Sequence, residues 1–180
     1  GNLTLETGRL SVRDGAQIGS STLGSGSAGI LTVNAKELVE LIGISANGQY
    51  PSLLTARTTS SGNASNINIE TGKLTVRDGA RISVSSEGSG KAGNLSIQAR
   101  SIQLDNKGAI IATTRSGNGG DITLQTQDLL LLRRDSRIST TAGTEGAGGN
   151  GGNINIDAPN GFIVAVPREN SDITANAFTG

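Results

Sequence analysis

Three aspartates recur along the chain and could, by their type, do hydrolytic chemistry. Asp14 and Asp78 both lie in the tripeptide Arg-Asp-Gly, and Asp135 follows further on. Enzymes that cleave polysaccharides hold two carboxyl groups within about 10 Å of each other. The repeat described below places Asp14 and Asp78 two coils apart, at the edge of that range, with no equivalent acid between them. The tripeptide is therefore interpreted as a turn, in which Asp14 and Asp78 supply side-chain acceptors and Gly15 and Gly79 supply a positive φ.

Residue types that most often do catalysis or bind metals are scarce. The 180 residues contain no His and no Cys, which removes the commonest general base and the thiolate ligands. The segment GGNGGNINID at 148–157 is similar to a glycine-rich calcium motif, but it occurs once and that motif works in tandem. Fifteen basic and fifteen acidic residues balance, which argues against a nucleic-acid partner. The sequence predicts no cofactor, no metal site, no catalytic residue and no enzymatic activity.

The elements that carry these residues are revealed by an internal repeat. LTLETGRLSVRDGAQIGSS from Leu3 returns as INIETGKLTVRDGARISVSS from Ile67. Short alternating segments, mostly preceded by Asn or Asp, begin at positions 3, 31, 67, 95, 122 and 154. Each is followed by two further alternating segments, which is typical of strands. Third segments are predicted to begin at Ile18, Leu54, Ile82, Ile111, Ile138 and Ile173.

This pattern predicts an all-β parallel β-helix with about six coils and three strands per coil. The alternative fold, a β-sandwich, would need hairpin turns and does not explain the constant order of segments. Each inward residue is expected to stack on its counterpart about 4.8 Å away in the next coil and to be fully buried. The predicted core ladder consists of Leu3, Leu5, Leu31, Val33, Ile67, Ile69, Leu95, Ile97, Ile122, Leu124, Ile154 and Ile156.

An insertion and a set of glycine-rich corners interrupt the regular coils. Residues 43–52 interrupt the second coil and are predicted to form a protruding loop with Tyr50 and Pro51 at its tip. Glycine-rich corners, such as GSGSAG from Gly24 and GTEGAGGNGG from Gly143, are expected to use the positive φ that glycine permits.

Charged residues recur at one point of successive coils, just after the second segment. Arg77, Asp105 and Arg133 occupy this point. They are predicted to form a charge ladder whose alternating sign avoids like-charge stacking.

Several long stretches resemble the repeat region of cyanobacterial filamentous-haemagglutinin-like exoproteins. They read GNLTLETGRLSVRDGAQI, AGNLSIQARSIQLDN, DITLQTQDLLLLRRDSRISTTAGTEGAGGNGGNINI and FIVAVPRENSDITANAFTG. The resemblance extends over essentially the whole chain and implies a right-handed β-helix within a large, adhesin-like protein. It also implies two-partner secretion through an outer-membrane partner, by way of a domain outside these residues. A secreted, cell-surface location and a glycan or protein receptor follow from the same resemblance.

The sequence thus predicts a structural or adhesive β-helical segment, with residues 1–180 as one repeat array within a longer protein. No amphipathic cap is visible in the terminal coils, and solenoids normally need capping repeats. Partners are therefore expected to be adjacent repeats of the same chain, or copies of itself stacked into a filament. The alternative function is a polysaccharide-binding or polysaccharide-cleaving β-helix, which binding to acidic glycans would distinguish.

Overall fold

A computed structural model describes residues 1–144 and 148–178. The strands form two parallel sheets that stack into six coils. The predicted corner GTEGAGGNGG lies partly outside the described residues, as do the last two positions of the predicted array. The first sheet contains β1 (Leu3–Arg13), β3 (Leu31–Ile42), β5 (Ile67–Arg77), β7 (Leu95–Asp105), β9 (Ile122–Leu132), β11 (Ile154–Asp157) and β12 (Phe162–Ala165). The second sheet contains β2 (Gln17–Thr22), β4 (Leu53–Thr58), β6 (Arg81–Ser86), β8 (Ala109–Thr114), β10 (Arg137–Ala142) and β13 (Asp172–Ala177).

The three predicted segments of each coil are present, but the first two are joined in coils 1–5. They form one long strand that bends where the register shifts, as between Thr7 and Arg9 in β1. The inward residue at the bend is always a Thr or an Ala: Thr7, Ala35, Thr71, Ala99 and Thr126. Pairing lapses for one or two residues directly after this position, for example at Gly8 in β1 and at Lys36 and Glu37 in β3. In coil 6 the two segments are the separate strands β11 and β12.

The core is a set of apolar columns that run along the stack. Leu5, Val33, Ile69, Ile97, Leu124 and Ile156 are successive register partners and form one such column. Val33, Leu124 and Ile97 are at most 1% exposed. The prediction that every member is fully buried is wrong for the end coils, where Leu3, Leu5, Ile154 and Ile156 are only partly buried. These residues are covered by a neighbouring coil on one side only.

The second sheet corrects one predicted register position. Ile82 and Ile138 pair with Ile110, not with Ile111. Ile110 is fully buried and Ile111 is half-buried. Alternation cannot decide between two adjacent isoleucines, and pairing with the neighbouring coils selects the first.

An amide ladder explains why Asn or Asp precedes the first segment of most coils. Asn94 Oδ1 accepts a hydrogen bond from Asp121 N at 3.0 Å, and Asp121 Oδ1 accepts one from Asn153 N at 2.8 Å. Asn66 Oδ1 accepts a hydrogen bond from Asn94 N in the same way. Each side chain thus binds the backbone of the next coil, which continues the inter-coil pairing past the end of the strand.

The predicted positive φ is found in the corner that begins at Gly143, where Gly143, Gly148 and Gly149 have φ values of 70°, 74° and 143°. Other corner glycines have a different basis. At Gly93 a Cβ atom would lie 1.9 Å from Ser65 O, and at Gly120 it would lie 1.9 Å from Gly93 O. Neither glycine has a positive φ. Glycine is required there because the backbones of successive coils lie too close together for any side chain.

The insertion in coil 2 forms a short closed loop. Ile44 and Pro51 make an antiparallel bridge, and Ser45 N donates to Tyr50 O at 2.7 Å. The tip is therefore at 46–49, and the prediction of Tyr50 and Pro51 as its tip is wrong. The loop lies on the turn of coil 1, because a Cβ at Gly15 would come within 2.7 Å of Ser45 Cβ. Within the described residues, no helix is long and apolar enough to cross a membrane.

Candidate binding groove

The outer side of the bend carries a column of polar side chains. The residue just before each bend points outward and pairs in register with its neighbours, one per coil. The column consists of Glu6, Asn34, Glu70, Gln98, Gln125 and Asp157. All six are exposed. Every member has a carboxylate or amide group, so the column presents oxygen acceptors at regular steps of about 4.8 Å.

A second set of residues follows at the bend itself and forms one wall of a groove. Lys36, Arg100 and Gln127 extend outward from coils 2, 4 and 5, whereas coil 3 has Gly72 at this point. Together with the first column they enclose a groove of about 470 Å³. Its lining, here called the bend groove, consists of Asn34, Ala35, Lys36, Glu70, Thr71, Gly72, Gln98, Ala99, Arg100 and Gln127. A smaller hollow of about 220 Å³ shares Gln98, Ala99 and Gln127 and reaches Gln125 and Asp157.

Gly72 keeps the centre of the bend groove open. A Cβ atom there would meet Glu37 O at 2.8 Å and Lys36 O at 3.0 Å. The backbone of coil 2 therefore excludes a side chain from coil 3 at this point. The result is a gap between Lys36 and Arg100, which lie two coils apart, or about 10 Å.

A second polar region, here called the turn column, lies where each long strand turns into a short one. Asp14 and Gly15 have φ values of 54° and 88°, and Asp78 and Gly79 have 58° and 81°. Two consecutive positive φ values define a type I′ turn. The predicted turn is present, and the aspartate as well as the glycine adopts the left-handed conformation. Asn106–Lys107 and Arg134–Asp135 form equivalent turns in coils 4 and 5, which the sequence analysis missed because they contain no glycine.

The turns bind one another through backbone and side chains. Gly79 N donates to Asn106 O at 3.0 Å, and Lys107 N donates to Arg134 O at 2.8 Å. Asp78 Oδ1 accepts a hydrogen bond from Asn106 Nδ2 at 2.8 Å. The carboxylate therefore links two successive turns, which is a structural role.

The predicted charge ladder is only partly present. Arg77 and Asp105 are register partners, but Arg77 Nη1 lies 2.6 Å from Asp78 Oδ2. Asp105 instead accepts two hydrogen bonds from Arg134, at 2.8 and 2.6 Å. Arg133 pairs with Glu169 of coil 6 at 2.5 and 2.6 Å. The predicted register of Arg77 and Asp105 on adjacent coils is therefore present, but the ion pairs lie elsewhere: Arg77 contacts its neighbour Asp78, Asp105 pairs with Arg134, and Arg133 pairs with Glu169.

These ion pairs shift the acidities of the groups in the turn column. The Arg133 guanidinium lowers the pKa of the Glu169 carboxyl from 4.5 to about 2. The Arg134 guanidinium lowers the pKa of Asp105, and Arg13 lowers the pKa of Glu40. Conversely, Glu169 raises the pKa of Arg133. All four shifts favour the charged forms, so the turn column is held together by ions that stay charged at neutral pH.

The structure brings together a charged cluster that the sequence analysis did not find. Lys36, Glu70 and Arg100 share the bend groove, although the sequence indicates no cluster of acidic and basic residues on one outward face. The sequence does not reveal this cluster, because the register shifts at the bend bring Lys36, Glu70 and Arg100 together from strand positions that are not equivalent. Within the described residues no group of three or more Asp, Glu, His or Cys side chains is arranged to hold a metal ion.

Comparisons with known proteins give no match. No protein-family model, no curated protein and no solved structure matches this chain.

Proposed function

We propose that residues 1–180 are a structural, adhesive segment of a large secreted protein at the cell surface, and that the segment has no enzymatic activity. The supporting observation is that the apolar columns of the core reach the surface of coil 6, where their last side chains are exposed. Ile163 and Ile173 of coil 6 occupy inward ladder positions but are 49% and 37% exposed. Their register partners in coil 5, Leu130 and Ile138, are fully buried.

Further apolar side chains surround this end of the stack. Phe162 is 72% exposed and Phe178 is 52% exposed. Apolar surface of this kind is normally covered in a solenoid, and the outer strands β12 and β13 each leave one edge open within the described residues. A further coil would bury the ladder and pair both edges. We infer that adjacent repeats of the same protein, or copies of this segment, supply that coil and extend the stack into a filament.

Association of the purified chain tests the open end. Light scattering is expected to show growth in mass with concentration for the unaltered chain. A variant with Ile163→Lys and Ile173→Lys should stay monomeric, because charges at the exposed ladder positions block stacking. The matched control is Thr123→Lys with Thr141→Lys, on outward positions of coil 5, which should still associate.

Hydrogen exchange on the same samples shows whether coil 6 remains folded in each variant. The structural proposal is contradicted if the unaltered chain stays monomeric at high concentration while both end coils are protected from exchange.

Surface display and two-partner secretion rest on the resemblance to filamentous-haemagglutinin-like exoproteins. Antibodies raised against these 180 residues are expected to label intact cells that carry the protein. Labelling only after the cells are lysed would overturn the proposed location and leave the structural role in place.

A further inference from the structure

The polar side chains of the bend groove are not engaged by the protein itself. Lys36, Glu70 and Arg100 make no side-chain hydrogen bond or ion pair with any residue in 1–144 or 148–178. The amide side chains of Gln98 and Gln127 are equally unpartnered within these ranges. The groove therefore exposes positive and negative charges and amide groups to solvent. Its floor consists of the small residues Ala35, Thr71, Gly72 and Ala99.

The position of the groove decides which kind of ligand can use these groups. It lies on the face of the first sheet, where the backbones of β3, β5, β7 and β9 already pair with each other. A peptide that binds by adding a strand needs an open sheet edge, so recognition here depends on side chains. The lining contains no aromatic residue on which bases could stack. A carboxylate, Glu70, lies in the groove on the coil between those of the two cations, which disfavours a nucleic acid with a charge at every step.

The spacing of the charges fits a regular, extended polymer. Amide and carboxylate groups recur at every coil, about 4.8 Å apart, and can pair with hydroxyl groups that both donate and accept. Among the residues that line the groove, the cations are Lys36 and Arg100, on coils 2 and 4 and about 10 Å apart; Lys73 of coil 3 lies beyond Gly72, outside the lining. The carboxylate of Glu70 at the intermediate coil accepts hydrogen bonds but repels a negative group. The groove thus alternates between a position for an anion and a position for a neutral hydroxyl-bearing unit.

We propose that the bend groove binds an extended acidic polysaccharide that carries a carboxylate on alternate sugars. Lys36 and Arg100 would bind successive carboxylates of such a chain. Glu70, Gln98 and Gln127 would bind the hydroxyl groups of the sugars between and beside them. The gap at Gly72 admits the ring of the central sugar. This site is independent of the structural role proposed above, and its failure would leave that role intact.

Titration calorimetry with defined oligosaccharides tests the inference. Hyaluronan octasaccharide is the probe, because its carboxylates lie on alternate sugars. Cellohexaose, which has no carboxylate, is the neutral comparison. Octagalacturonate, which has a carboxylate on every sugar, is the comparison with higher charge density. Hyaluronan is expected to bind most tightly of the three. Equal binding of cellohexaose, or no binding of hyaluronan, would overturn the proposal.

Paired charge variants separate the site from general electrostatic attraction. Lys36→Gln with Arg100→Gln is expected to weaken hyaluronan binding by about tenfold or more, as the loss of charge-assisted hydrogen bonds predicts. The matched control, Lys107→Gln with Arg137→Gln, removes the same charge beside the second sheet and should leave the affinity within about twofold. If the control weakens binding as much as the groove variant does, binding is non-specific and the proposal fails.

Glu70→Gln tests whether Glu70 excludes a carboxylate from the sugar position between Lys36 and Arg100. Octagalacturonate should bind the Glu70→Gln variant more tightly than the unaltered chain, because the repelling carboxylate is gone. Circular dichroism confirms that each variant keeps its fold. An unchanged affinity for octagalacturonate would contradict the role given to Glu70.

Discussion

The bend groove and the turn column are both polar, and both run along the stack, yet they use their polar groups in opposite ways. In the turn column the carboxylates of coils 3 to 6 have partners in the protein, such as Arg134 for Asp105 and Arg133 for Glu169. In the bend groove Lys36, Glu70 and Arg100 have none among the described residues. One region uses charge to hold coils together, and the other leaves charge available to a ligand. Which polar residues have partners is therefore a better guide to function here than which residues are polar.

The largest expected effect lies beneath the groove. Ile97→Ala should lower the free energy of unfolding by roughly 2–5 kcal/mol, because it removes a fully buried side chain and leaves a cavity. Gln98→Ala, on the outward neighbour, should change it by less than about 0.5 kcal/mol. Denaturant unfolding followed by circular dichroism measures both. A cost above 1 kcal/mol for Gln98→Ala would show that the groove is structural after all.

The next effect distinguishes the turn column from the groove. Asp78→Ala should cost about 1–2 kcal/mol, because alanine tolerates the φ of 58° poorly and the hydrogen bond from Asn106 is lost. Asp78→Asn, which accepts that φ and keeps an acceptor oxygen, should cost less than half as much. The same unfolding assay applies. Equal costs for the two variants would mean that the negative charge, rather than the backbone conformation, selects Asp78.

A smaller and opposite effect is expected at the next turn. Lys107 has a φ of 67° without the advantage of glycine or asparagine. Lys107→Gly should raise the free energy of unfolding by about 0.5 kcal/mol, since relief of strain exceeds the entropic cost of glycine. Lys73→Gly, within strand β5, should lower it instead. A loss of stability from Lys107→Gly would show that the lysine side chain makes a contribution of its own.

The smallest expected effect is on the loss of thermal stability at low pH. Glu169 has a pKa of about 2 in the folded chain against 4.5 ordinarily. The stabilisation from its pairing with Arg133 is therefore complete above pH 4.5 and is lost as the pH falls towards 2. Thermal melts between pH 6 and pH 3 should show a smaller decrease for Glu169→Gln than for the unaltered chain. A decrease for Glu169→Gln as large as that of the unaltered chain would contradict the contribution assigned to the pair of Glu169 with Arg133.

Sequence reasoning succeeded where the structure depends on alternation and failed where it depends on side-chain direction. The register of Leu5, Val33 and Ile69 follows from a period of two, which leaves only one face for the core. The partners of Asp105 do not follow from it, because Arg133 and Arg134 are adjacent and only the turn conformation decides which one points towards the carboxylate. Likewise, the bend groove depends on register shifts beside Ala35 and Ala99, which no pattern in the sequence marks.

The inter-coil pairing also determines how this molecule would respond to a pulling force. The strands lie across the stack, so their hydrogen bonds run along its axis, and β1 and β13 lie at opposite ends. Tension applied between the two ends would load the coil interfaces one after another, in series. A strained segment would then lengthen by peeling single coils from an end, each step releasing roughly 90 Å of chain for a repeat such as Leu3 to Leu31. Such a stack would lengthen in discrete steps under load, while the coils that have not yet unfolded remain intact.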